Sequence, residues 1–86
     1  MTAISDKDRA QLENGTERMN RIRYMNFIIY EFARGFKRPL QETFIYLEEY
    51  GGLDFLMDNY EYEHTCSAHD TSMNLLKVCR KNGGWL

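Results

Sequence analysis

The chain has 86 residues, a net charge of −2, and 43% hydrophobic residues that include five Phe, six Tyr and one Trp. That length makes one domain at most, and 28% charged residues is a globular composition rather than a disordered one. The longest mostly apolar stretch, Tyr24 to Ala33, is broken by Asn26 and Glu31 and falls well short of the ~20 residues of a spanning helix, so no membrane association is expected.

Residues 1–15 are polar, with Ile4 and Leu12 as their large apolar residues. They are expected to form a loosely ordered segment in which Ser5 to Asp8 cap a short helix ending near Asn14-Gly15. The main domain is then residues 16–86. Thr16 can cap its first helix, with Glu17 in the first turn. Ile22, Met25, Ile29, Phe32 and Phe36 recur at spacings of 3 and 4 and draw one apolar stripe. Phe27, Ile28, Tyr30 and Ala33 widen it until the helix is apolar nearly all round, which suits a central position or an oligomer interface.

Pro39 ends that helix and suits the start of the next, whose inner face is read as Leu40, Phe44 and Leu47. Gly51 provides a left-handed cap and Gly52 a loose turn. A shorter third helix places Leu53, Leu56 and Tyr60 inward. Tyr60 to His64 alternates with period two and is read as a short extended connector. Ser67 to Asp70 fits a capping box that opens the last helix, with Met73, Leu76 and Cys79 on its inner stripe and Gly83 after it. Trp85 and Leu86 are expected to fold back onto the body. The fold class is therefore all-α: a compact bundle of about four helices with a short extended connector before the last.

Charge is segregated. Residues 1–38 carry a net +3, residues 39–70 carry −8 with no Lys or Arg, and residues 71–86 carry +3. Packing of the acidic middle between basic ends would neutralise it internally; the sharper reading is an acidic surface for a basic partner. Glu48, Glu49, Asp54, Asp58, Glu61, Glu63 and His64 are the candidate interaction residues. A hydrolytic role for these carboxylates would need a cleft that shifts their pKa values, and no pattern indicates one. His64 is read first as a residue that fixes its loop.

His64, Cys66, His69 and Cys79 carry zinc-type donor atoms, but the His-x-Cys-x-x-His run matches no standard ligand spacing, so no metal or other cofactor is expected. Gly-rich phosphate loops, serine elbows and Cys-x-x-Cys pairs are absent from the sequence. The third helix offers Asp54, Asp58 and Asn59 where a DNA-reading helix would carry bases, so nucleic acid is not expected as a partner. Two cysteines make no disulfide framework, and no basic-then-apolar leader opens the chain, so the expected location is cytoplasmic.

Several blocks resemble a known family. They are Gln41-Glu42-Thr43-Phe44 with Tyr46-Leu47, Tyr50-Gly51-Gly52-Leu53-Asp54-Phe55-Leu56, Asn59-Tyr60-Glu61, Glu63-His64-Thr65, Asp70, and Val78 to Gly84. With these the chain resembles the small bacterial proteins grouped as domain of unknown function 3791, over roughly two-thirds of its length. The resemblance implies no known activity. It does imply a partner, or a protein to be neutralised, similar to ADP-ribosyltransferases, because genes of the two kinds tend to adjoin.

The leading expectation is a non-enzymatic protein-interaction module whose partner is another protein, a second copy included. The alternatives are a small enzyme or ligand-binding protein built on His64, Glu61, Glu63 and His69, and a DNA-binding regulator.

Overall fold

In the computed structural model the backbone is described for residues 6–86 and the side chains for residues 16–86. The elements are α1 (Asp6–Phe36), α2 (Leu40–Glu49), α3 (Gly52–Asp58), α4 (Tyr60–Glu63) and α5 (Ala68–Lys81). The fold is an all-α bundle. α1 packs against α2, α3 and α5, and α3 bridges α2 and α5. The expected cap at Ser5 lies outside the described residues.

Two expectations about elements are corrected. Asn14-Gly15 does not break the first helix, and Thr16 is an exposed residue inside α1 rather than its cap. A helical glycine costs about 1 kcal/mol, less than losing the backbone bonds of a turn flanked by helix on both sides. Glu17 and Arg21, one turn apart and bonded at 3.0 Å, support the continuation. The period-two run from Tyr60 is not extended either: it winds into the single turn α4, closed by Glu63 N–H to Asn59 O at 2.8 Å and His64 N–H to Tyr60 O at 3.0 Å. Tyr60 and Glu63, three apart, turn inward together.

The core contains Ile28, Ile29 and Phe32 of α1, Tyr46 and Leu47 of α2, Leu56 of α3, and Leu75, Leu76 and Cys79 of α5. α2 is rotated from its expected orientation. Thr43, Tyr46 and Leu47 are buried, while Leu40 and Phe44 are 55% and 45% exposed. Thr43 tolerates burial because its hydroxyl donates to Pro39 O at 2.9 Å. Tyr46 fills the centre among Phe32, Tyr50 and Trp85.

Caps and glycines hold the corners. Ser67 Oγ accepts Asp70 N–H at 3.0 Å, as its sequence pattern indicates. Gly51 adopts φ +80°, and Asn82 Nδ2 donates to the last carbonyl before it, Tyr50 O, at 2.8 Å. Gly52 is less a loose turn than a close contact: a Cβ there would sit 3.0 Å from Leu47 and 3.1 Å from the Cys79 sulfur. The C-terminal residues do fold back. The Trp85 ring meets Tyr46 edge-on at 5.1 Å and lies under the Arg38 guanidinium at 5.1 Å.

Candidate functional site

The Glu63-His64-Thr65 block sits where α4 meets the loop into α5. Glu63 is 1% exposed. Its Oε2 accepts the Thr71 hydroxyl at 2.8 Å and its Oε1 accepts the Asn74 amide at 3.1 Å, so one carboxylate ties α4 to two successive turns of α5. With the Thr71 proton committed to Glu63, Tyr24 of α1 is the donor in the 3.4 Å contact between the two hydroxyls. Burial, the largest cause, lifts the Tyr24 phenol above its ordinary value.

His64 and Thr65 bind their own turn. His64 Nδ1 lies 2.7 Å from Tyr60 O, which places the proton on that nitrogen, and its ring stacks on Tyr60 at 4.8 Å. Thr65 Oγ1 donates to Tyr62 O at 2.6 Å. The other edge of this unit is Arg21, whose guanidinium lies 4.7 Å from the Tyr60 ring centre and bonds Glu61 at 3.3 Å. Glu63, expected on the interaction surface, is therefore removed from it: its hydrogen bonds are made inside, and it forms no ion pair among the described residues.

The remaining candidates separate. Glu61 is exposed and paired with Arg21. Glu48 and Glu49 end α2, and Asp54 and Asp58 lie one turn apart on α3, across the Gly51-Gly52 turn. All four are exposed and make no ion pair among the described residues. Internal neutralisation of the acidic middle is thus partial, with Arg38–Glu42 and Arg21–Glu61 as its ion pairs among the described residues.

The zinc-type donors do not converge. Among the described residues no three His, Cys, Asp or Glu side chains are placed to hold a metal ion. Cys79 is fully buried in the core, and burial pushes its thiol pKa up, away from nucleophilic use. Among the described residues no helix is long and apolar enough to cross a membrane.

Two clefts were not anticipated. One, of about 420 Å³, lies between the end of α1 and the start of α5 and includes Arg34, His69 and Met73. The other, of about 490 Å³, is an apolar groove between α1 and α2 lined by Asn26, Ile29, Leu40, Gln41 and Phe44. Neither includes His64, Glu61 or Glu63. Helical spacing alone points Leu40 and Phe44 to the core, which conceals the groove in the sequence; the competing Thr43-Tyr46-Leu47 face is the signal against that orientation.

The family described as Protein of unknown function (DUF3791) matches residues 23–82. The chain belongs to that family. Its matched span begins at Arg23, so the DUF3791 body comprises the later part of α1 with α2 to α5, and the first half of α1 precedes it. The Glu63–Thr71–Asn74 and Tyr60–His64 contacts therefore all join residues inside the DUF3791 span, whereas Arg21 lies just before it. No curated protein and no solved structure is a significant match.

Proposed function

We propose that the chain is a non-catalytic protein-interaction module whose α2–α3 corner engages a basic surface of another protein. The observation that carries this reading is the set Glu48, Glu49, Asp54 and Asp58, all exposed and without ion pairs among the described residues. Four like charges around one tight turn repel each other, and a cationic partner relieves that repulsion while raising the association rate. The commitment of Glu63 and His64 to internal contacts supports a structural role for the Glu-His-Thr block. The protein similar to ADP-ribosyltransferases that the family resemblance implies is the first partner to try.

The test is affinity capture from the native host with identification by mass spectrometry, using the wild-type chain and a Glu49→Gln/Asp54→Asn/Asp58→Asn variant. A partner bound by the wild type, released by salt between about 50 and 500 mM, and lost with the variant is the expected result. Equal capture by both chains at both salt levels overturns it. Circular dichroism of the variant confirms that the helices persist.

A further inference from the structure

The cleft between the end of α1 and the start of α5 holds about 420 Å³, enough for a small organic ligand. Two residues that line it are at odds with the needs of the fold. Ser72 of α5 is 8% exposed, and its hydroxyl makes no hydrogen bond among the described residues. A serine so far buried normally finds a partner, and in a helix the carbonyl one turn back is at hand. Gly35 stands in the last turn of α1, where an added Cβ would meet nothing within 4 Å. Only proline is a poorer helix former than glycine, and neither a positive φ nor a close approach calls for one at this position. Both residues are explained by a cleft kept open, with a polar group inside it.

We propose that this cleft binds a small organic carboxylate with an apolar body. The site goes beyond the acidic-corner reading and lies on other elements. Its polar wall is the first turn of α5. Ala68 and His69 line the cleft, and their N–H groups have no acceptor among the described residues. Asp70 N–H is already taken by Ser67 Oγ, and Thr71 N–H by Ser67 O. Two unfilled donors at a helix N-terminus favour an anion, and the Ser72 hydroxyl, one turn on from Ala68, adds a third. Arg34 comes from α1. Its Nη2 donates to Glu31 Oε2 at 2.8 Å, and the rest of its guanidinium is uncommitted among the described residues.

The remaining lining sets the ligand class. Phe36, held against Phe32 with ring centres 4.5 Å apart, and Met73 offer apolar surface to its body. The Ala33 and Arg34 carbonyls at the end of α1 are occupied by Arg38 and Lys37 N–H. Glu31 also lines the cleft, and Asp70 stands in the first turn of α5. A dianion such as phosphate would meet both of these carboxylates. A single carboxylate has less charge to place and matches the planar fork of Arg34.

Amide NMR of the full chain, titrated with phenylacetate and with 4-methylpentanoate to about 10 mM, tests this. Shifts centred on Ala68, His69, Ser72 and the end of α1 are expected, with a dissociation constant of about 1 mM or tighter. No such shift with either compound overturns the proposal. Phenylacetamide, the neutral counterpart, is expected to bind at least about tenfold more weakly, and equal binding overturns the carboxylate assignment. Inorganic phosphate is expected to leave these amides unmoved; a response to phosphate alone indicates a bare-anion site and overturns it too. Ser72→Ala is expected to raise the dissociation constant about tenfold yet melt at or above the wild-type temperature, because the hydroxyl serves the ligand and not the fold. A lower melting temperature with unchanged binding overturns that role. Gly35→Leu places its Cβ in open space, so it is expected to keep the helices by circular dichroism and to abolish binding. Retained binding overturns the placement of the ligand. Salt-sensitive capture through Glu49, Asp54 and Asp58 does not depend on any of these outcomes, so the two readings fail separately.

Discussion

Glu63 shows how one residue can look like surface chemistry and serve the fold. In sequence it is one more carboxylate in the acidic middle. In the structure it is buried, and its two oxygens take the Thr71 hydroxyl and the Asn74 amide. A buried carboxylate without a cation is tolerable only while such donors remain. Glu63→Ala removes the acceptor and strands both donors, so it should lower unfolding stability by about 2–4 kcal/mol. Glu63→Gln keeps the volume and one acceptor and should cost about 1–2 kcal/mol. Urea denaturation of the two variants checks the order. An alanine variant within about 0.5 kcal/mol of wild type would show that the network contributes little.

Among the elements, the end of α1 carries a feature that glycine normally supplies. Lys37 adopts φ +54°, with Lys37 N–H on Arg34 O at 3.3 Å and Arg38 N–H on Ala33 O at 2.9 Å. That bond pattern is the left-handed helix stop, and a side chain in this conformation costs about 1 kcal/mol. Lys37→Gly should therefore stabilise the fold by about 0.5–1 kcal/mol, the gain being trimmed by the greater freedom of glycine when unfolded. Lys37→Val should destabilise it, because a branched Cβ crowds the same conformation. Thermal melts of the pair give opposite shifts if the backbone sets the cost, and shifts of one sign if the lysine side chain matters instead.

Elements also set the limit of what the sequence makes legible. The four longer helices, the Ser67 cap, the Gly51 and Gly83 stops and the inner positions Ile29, Phe32, Leu47, Leu56 and Leu76 all follow from local rules, and the structure has them. The facing of α2 does not. Two apolar stripes compete on it, and the choice is made by long-range partners: Phe32 and Trp85 on Tyr46, and a local acceptor that frees Thr43 for burial. The α4 turn escapes the period-two pattern for a similar reason, since Thr71 and Asn74, eight and eleven residues away, pull Glu63 inward.

For the whole molecule, the buried titratable groups fix how stability responds to alkali. Tyr24, Tyr46 and Cys79 each have a pKa raised above the ordinary value, chiefly by burial, and they anchor different parts of the fold. Tyr24 joins α1 to α5, Tyr46 holds α2 to the C-terminal residues, and Cys79 sits under the Gly52 turn. In the unfolded chain the thiol titrates near 9.0 and the phenols near 10.0; the folded chain holds these protons to higher pH. Between the two values the unfolded state binds fewer protons, so rising pH favours unfolding. Their contribution is whole below about pH 9 and is lost progressively as pH climbs through the raised values. The Tyr46 hydroxyl is buried without a side-chain partner, and the Leu86 main chain only partly offsets its burial. Tyr46→Phe removes that group and one linked proton. Its unfolding free energy should equal or exceed the wild-type value near pH 8 and fall less steeply above pH 10, by the slope of about one proton. Urea titrations across pH 8 to 11 measure both slopes, and parallel curves for the two proteins would mean that the Tyr46 phenol is not held neutral by the fold.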